Sequence, residues 1–224
     1  MSRAGSSARR CGPAPVGALL AVVLGLGGPL PASAHPHAWI DIDVELQADS
    51  DDRVIAIEQA WIIDPLYSRY LYDDAMEQFE GATPEEKLSN LGTEILGNLA
   101  EYEWYTELYA DDRRVLGRPD GPAELVMQDG QIRFRFRLRL AEPVDPRAGT
   151  LRYAVYDPTY FIEILHHTGS PPRLELSSGP CRLERVQPRP DPAIVARALA
   201  LDFNQTGEAD LGRHFAEKVT VQCD

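Results

Sequence analysis

Residues 131–140 read QIRFRFRLRL, and this stretch decides the fold. Apolar side chains alternate with arginines, which is the two-residue period of a β-strand that has one face buried and the other in water. The arginine row consists of Arg133, Arg135, Arg137 and Arg139. Asp129 and Gly130 form a turn signal directly before the stretch, so the sequence predicts a strand that returns from a hairpin.

The segments around this strand carry similar patterns. Residues 39–46, WIDIDVEL, also alternate, and their acidic row consists of Asp41, Asp43 and Glu45. Further strands are predicted at 54–63, 105–109, 123–127, 151–156, 160–165, 174–176, 181–186 and 218–223. We expect the arginine row to form cross-strand ion pairs with the acidic row, which lies on another strand, rather than to bind nucleic acid or phosphate.

Helical patterns interrupt the strands in two places. Residues 66–80 have helical spacing of apolar side chains, and Thr83 to Glu86 supply the capping residues of a second helix. Asp191 and Pro192 begin a short helix near the end of the chain. Strands without alternating βαβ units predict an α+β domain with a mostly antiparallel, sandwich-like β core, a two-helix insertion and a short C-terminal helix.

The composition restricts the possible partners. The 224 residues are 44% hydrophobic and carry a formal net charge of -13, as expected for an acidic globular domain. This charge opposes electrostatic binding to nucleic acid and to anionic membranes, because both are themselves negative. Cations or basic proteins are the better candidates.

The first 34 residues have the features of a secretory signal peptide. Three arginines precede an apolar run at 16–26, and the small residues Ala32, Ser33 and Ala34 follow it. The run is too short to span a bilayer. We therefore predict a periplasmic protein of one domain, residues 35–224, with no stable insertion in the membrane. For an exported chain, the remaining pair Cys181 and Cys223 predicts a disulfide.

Removal of the signal peptide would leave His35 as the first residue, followed by Pro36 and His37. The terminal amine and Nδ1 of one histidine form a chelate, and a second imidazole completes the three-nitrogen arrangement called a histidine brace. Pro36 has no amide proton to lose, which disfavours the other N-terminal copper motif because that motif needs a deprotonated amide. The terminus therefore predicts a site for Cu, Ni, Co or Zn. The alternative is a solvated, frayed terminus.

Four other residues are candidates for the same site. His166 and His167 could supply one more imidazole from a later strand. Asp64 and Asp157 each precede a proline at the end of a predicted strand, where they could accept hydrogen bonds from a ligating imidazole or only form turns. The chain contains no nucleophile elbow, phosphate loop, dinucleotide fingerprint or HExxH motif, so we do not expect an enzyme.

Three segments together resemble a known family. Residues 35–37, 61–68 and 156–161 read HPH, WIIDPLYS and YDPTYF, and in this order they resemble the exported bacterial family called domain of unknown function 1007. The resemblance implies the periplasmic component of an ABC-type transport system and a link to nickel, cobalt or zinc transport.

Two functional hypotheses follow. The first is a periplasmic accessory protein that binds a transition metal and assists a membrane metal transporter. The alternative is a non-enzymatic envelope interaction module that docks on a transporter and has no metal site.

Overall fold

The computed structural model describes residues 36–202 and 205–223. The predicted signal peptide, residues 1–34, and the predicted ligand His35 lie outside these residues. Within them the strands are β1 (Ala38–Ala48), β2 (Val54–Ile63), β3 (Thr106–Ala110), β4 (Arg113–Arg114), β5 (Gly117–Pro119), β6 (Glu124–Gln128), β7 (Gln131–Val144), β8 (Leu151–Val155), β9 (Ile162–His166), β10 (Arg173–Leu174), β11 (Cys181–Val186) and β12 (Lys218–Cys223). The α-helices are α1 (Pro65–Gln78), α2 (Pro84–Asn98) and α3 (Pro192–Leu199), and 3-10 helices cover Leu99–Tyr105 and Gly212–His214.

The strands form two sheets. The first sheet has the order β10-β1-β2-β7-β5, with β9 beside the first half of β1 and β6 beside the start of β7. The second sheet has the order β11-β12-β8-β3-β4. Every pairing is antiparallel except those of β1 with β9 and β10. The prediction of an α+β fold with a mostly antiparallel, sandwich-like core is confirmed.

The core lies between the two sheets, where their apolar faces meet. β1 buries alternate residues from Ile40 to Leu46, and β7 buries Phe134, Phe136 and Leu138. The second sheet contributes side chains from β3, β8 and β12 to the same buried cluster. Alternation in the sequence therefore predicts correctly which face of each long strand is buried.

The two-helix insertion connects β2 to the second sheet. In α1, Asp64 caps the amino end and Pro65 is the first residue, while Thr83 caps α2. α2 lies against β6, and a Cβ built on Gly92 would be 2.9 Å from the Leu125 Cβ, so this glycine permits the close approach of helix and strand. Across both described ranges, no helix combines the length and the apolar character needed to cross a membrane.

Three of the four arginines of the row form ion pairs, but not with the predicted partners. β2 lies between β1 and β7, so the acidic row of β1 is one strand too far away. Arg135 instead contacts Glu58 of β2, and Asp120 accepts from both Arg137 and Arg139. Sequence alternation identifies the exposed face of a strand but not its neighbours in the sheet.

The two cysteines lie directly opposite each other on β11 and β12. Their Sγ atoms are 2.04 Å apart, so the predicted pairing of Cys181 with Cys223 is present. The bond joins two adjacent strands at one side of the second sheet.

Candidate functional site

Three segments meet at one end of the first sheet: the start of β1, the end of β2 and the turn before β9. The His37 backbone N–H donates to the Phe161 carbonyl at 2.8 Å, and the Asp64 N–H donates to the Trp39 carbonyl at 2.9 Å. The Trp39 N–H in turn donates to Asp64 Oδ2 at 3.2 Å. The start of β1 is therefore held on both sides. Three predicted site residues, His37, Asp64 and Asp157, belong to these segments.

The Asp64 carboxylate serves two elements at once. Oδ1 accepts hydrogen bonds from the Leu66 and Tyr67 N–H groups, both at 3.0 Å, which caps α1. Oδ2 accepts from Trp39, as described above. The carboxylate thus links the first residues of β1 to the beginning of α1. The Asp64 carboxylate therefore caps α1 and also holds the strand segment next to His37.

Asp157 is buried, with 2% of its surface exposed, and it organises the turn before β9. Oδ1 accepts from the N–H and the hydroxyl of Thr159, both at 2.9 Å, and Oδ2 accepts from the Ile162 N–H at 3.0 Å. Gly212 presses on this turn, since a Cβ there would overlap the Asp157 carbonyl oxygen. Asp157 therefore shapes the loop that carries Phe161 to His37.

The His37 side chain is half-buried beside this loop. Its ring centroid lies 4.4 Å from that of Phe161. Together with the backbone bond to Phe161, this contact gives the imidazole a defined position at the edge of the sheet. The residue is thus part of the folded domain at the point where the described chain begins.

An unusual backbone segment, residues 103–105, lies near the turn that Asp157 organises. Glu103, Trp104 and Tyr105 have consecutive φ values of 51°, 53° and 56°, which is the left-handed region. None is a glycine or asparagine, and each such residue costs roughly 1 kcal/mol relative to its ordinary conformation. The Tyr156 N–H donates to the Tyr105 carbonyl at 2.9 Å, and the Tyr105 ring stacks on Trp61. These contacts hold the strained turn against the core.

The negative charge of Asp157 acts on Tyr105 in this segment. Burial is the main reason that the pKa of Tyr105 lies above its ordinary value, and the negative charge of Asp157 is the second. Tyr105 therefore keeps its proton at neutral pH. Strain of this kind is characteristic of functional sites, but nothing in the residue types of 103–105 signals it in the sequence.

His166 lies elsewhere in the first sheet. β9 pairs in parallel with β1, so Ile162 is opposite Ala38 whereas His166 is opposite Ile42. Four residues of strand correspond to roughly 13 Å. The structure does not bring His166 to the end of the sheet where His37 lies.

Both ring nitrogens of His166 are already bonded inside the protein. Nδ1 is 2.8 Å from Glu217 Oε2, and Nε2 is 2.9 Å from the Tyr153 hydroxyl. Burial raises the pKa of Tyr153, so its hydroxyl keeps its proton within this contact. The backbone N–H of His166 also donates to Glu217, at 2.6 Å. This imidazole joins the two sheets, and both of its ring nitrogens are engaged by protein groups.

His167 is exposed, and its N–H donates to the Ile42 carbonyl at 2.9 Å. It too is separated from His37 along the strand. Within residues 36–202 and 205–223, no three His, Cys, Asp or Glu side chains are grouped so that they could hold a metal ion. The predicted site depends on His35, which lies outside those residues.

Apolar side chains are exposed next to the cap of α1. Trp39, Leu66 and Tyr70 have 51%, 83% and 62% of their surface exposed. The backbone N–H groups of Trp39 and Leu66 donate to the same Asp64 carboxylate. The Tyr67 ring stacks on the Tyr70 ring, with the centroids 5.8 Å apart. We call these four residues the aromatic patch: Trp39, Leu66, Tyr67 and Tyr70. Its members are spread over β1 and α1, so no single motif in the sequence signals it.

Comparison with known proteins gives two matches. The model of a family described as a protein of unknown function, DUF1007, matches residues 20–223. A protein of Haemophilus influenzae described as uncharacterized is 28% identical over 207 residues, which cover 91% of this chain and 98% of that protein. The match thus spans nearly the whole described domain, including the three segments that meet at the candidate site.

Proposed function

The chain belongs to the DUF1007 family of proteins of unknown function, and we propose that it binds a transition metal ion at its amino terminus in the periplasm. In this proposal residues 1–34 are removed as a signal peptide. The His35 amine and Nδ1 and the His37 imidazole then hold Cu, Ni, Co or Zn. The protein assists a membrane metal transporter and performs no chemistry on a substrate.

The observation that carries the proposal is the fixed position of His37. Its backbone is bonded to Phe161 and its ring lies against the Phe161 ring, while Trp39 is bonded to Asp64. A chain that begins at residue 35 has its α-amine only two residues from this anchored imidazole. A ligand that is already positioned loses less conformational entropy when a metal binds.

Asp64 and Asp157 contribute by position and charge. Both carboxylates hold the segments on either side of His37, and their negative charge at this end of the sheet favours a bound cation. Their oxygens accept backbone hydrogen bonds, so we assign them to positioning rather than to direct ligation.

The test is a titration with Cu, Ni, Co and Zn of the chain that starts at His35, compared with a form carrying one additional alanine before it. The additional residue removes the terminal chelate, and it should weaken binding by roughly tenfold or more, since even the loss of a ligand's supporting group has an effect of this size. The variant His37→Ala should weaken binding too, whereas the exposed His167→Ala is a matched control and should not. Equal affinities of the two starting forms would eliminate the brace.

Acid should also weaken the site. The amine and both imidazoles bind metal only when deprotonated, so affinity should fall as the pH is lowered from about 8 to about 6. A constant affinity over this range would contradict the proposed ligands.

A second candidate function is favoured by the aromatic patch. Exposed large apolar side chains that lie together are typical of protein-binding surfaces. In this case the domain docks on an envelope transporter without any metal. Co-purification with a membrane partner that survives chelators but is lost in Leu66→Ser would support docking, and loss of the complex on chelation would support metal handling.

A further inference from the structure

The outer face of the second sheet contains a depression of about 490 Å³. Its floor is a small apolar cluster of Ala154, Tyr156 and Ala216, which is separate from the main core. Ala154 lies opposite Glu107 of β3, and the next residues on the same face of the β8 segment are Arg152 and Tyr156. A small side chain surrounded by long ones produces the concave shape.

Three cationic side chains line this depression: Arg152, Arg213 and Lys218. Their presence together is notable in a chain whose net charge is -13. Long basic side chains above an apolar floor are the usual components of a site for an anion with an apolar body.

The nearby acids do not neutralise these cations. Glu107 accepts from Arg213 Nη2 at 2.7 Å, but it also lies 3.2 Å from Arg114 Nη1, so one carboxylate is shared by two guanidinium groups. The Asp112 carboxylate, 3.3 Å from Arg152 Nη2, is fully exposed, and water screens that pair. Throughout the described part of the chain Lys218 has no ion-pair partner. The depression keeps a net positive charge.

The Arg213 side chain is held in position by Tyr156 and Glu107. Its Nε donates to the Tyr156 hydroxyl at 3.1 Å while Nη2 bonds to Glu107. A guanidinium fixed in this way loses little rotamer freedom when a ligand binds, and its remaining N–H groups are suited to a carboxylate.

We propose that this depression binds a small organic carboxylate, with the carboxylate between Lys218 and the two arginines and the carbon skeleton on Ala154 and Tyr156. The site belongs to the second sheet and uses no residue of the proposed amino-terminal metal site. It therefore stands whether or not the protein binds a metal.

The test uses benzoate, succinate and citrate as probes, titrated into the protein and followed by calorimetry and by NMR. At least one probe should bind with a Kd below about 1 mM. Benzamide, which has the shape of benzoate without its charge, should bind at least about tenfold more weakly than benzoate if benzoate is the ligand. Failure of all three acids to bind would overturn the proposal.

Three variants locate the binding. Lys218→Gln removes one charge-assisted hydrogen bond and should weaken the bound acid roughly tenfold. Ala154→Leu fills the floor and should abolish binding, while Arg182→Gln removes an exposed cation from β11 outside the depression and should have no effect. Circular dichroism checks that each variant is folded. Unchanged affinity in Lys218→Gln, or equal losses in Lys218→Gln and Arg182→Gln, would place the anion elsewhere and refute the site.

Discussion

Replacing Glu217 by alanine should destabilise the protein more than any substitution of an exposed acid. The carboxylate accepts two hydrogen bonds from His166, one from the ring and one from the backbone, and it is 3% exposed. Each buried donor left without an acceptor costs about 1–3 kcal/mol, so the variant should lose about 2–6 kcal/mol of unfolding free energy. Glu184→Ala on β11, which is exposed, should change it by at most about 0.5 kcal/mol.

The same carboxylate predicts how stability depends on pH. Burial acts to raise the pKa of Glu217, but the hydrogen bonds from the His166 ring and backbone and the charges of His166 and Arg185 outweigh it, and the pKa is lowered below 4.5. A group whose pKa is lower in the folded state stabilises fully above its unfolded pKa. This stabilisation is lost as the pH falls below 4.5 and through the folded pKa.

The assay is urea unfolding of wild type, Glu217→Ala, Glu217→Gln and Glu184→Ala between neutral pH and pH 3. Glu217→Gln keeps the shape of the side chain but cannot ionise, so its stability should fall less steeply below pH 4.5 than that of the wild type. A loss below about 1 kcal/mol in Glu217→Ala at neutral pH would refute the network as a link between the sheets. Identical acid slopes in wild type and Glu217→Gln would refute the assignment of the titration to this residue.

Three further changes test how the ends of the elements are held, each by urea unfolding. Gly212→Ala should lower the free energy of unfolding by about 1–3 kcal/mol, because the new methyl group meets the Asp157 turn. Gly97→Ala in α2, with open space around it, should raise it by about 0.5–1 kcal/mol. The reverse order would contradict this packing. Asp64→Ala should lower the free energy of unfolding by about 1–2 kcal/mol, and Asp64→Asn should lower it much less, since asparagine also caps helices. Equal losses would show that the charge of Asp64 stabilises the fold rather than its helix-capping hydrogen bonds. The disulfide between Cys181 and Cys223 closes a loop of 42 residues, and its reduction should lower the free energy of unfolding by about 4 kcal/mol. Unchanged stability in the presence of a reductant would exclude this bond as a stabilising element.

Local pattern predicts most of the secondary structure here. β2 begins and ends at the predicted residues, Val54 and Ile63, because a turn precedes it and Asp64 starts a helix directly after it. The prediction misses β4 and β5, which have two and three residues. β5 forms on the edge of β7, which comes later in the chain, and no local pattern records that partner. β4 is the two-residue return strand of a hairpin with β3, too short to show an alternation of its own.

The candidate site shows the same limit. The motifs around His37, Asp64 and Asp157 identify segments that do lie together, but the role of each carboxylate depends on the backbone N–H groups near it. His166 illustrates the difference more sharply. The adjacent pair of histidines at 166–167 predicts a metal ligand, whereas in the structure the His166 ring is bonded to Glu217, which comes 51 residues later.

The interior position of β1 has a consequence for the order of folding. The hairpin of β1 with β2 can form early from local contacts. Among residues 36–202 and 205–223, only β9 and β10 pair with the other edge of β1, at residues 162–166 and 173–174. Until those residues are available, a strand with one apolar face exposes a free edge that can pair with other chains. Closing so long a loop is also slow. We therefore expect completion of the first sheet to limit the rate of folding, and the unfinished chain to be the aggregation-prone species that a chaperone must shield.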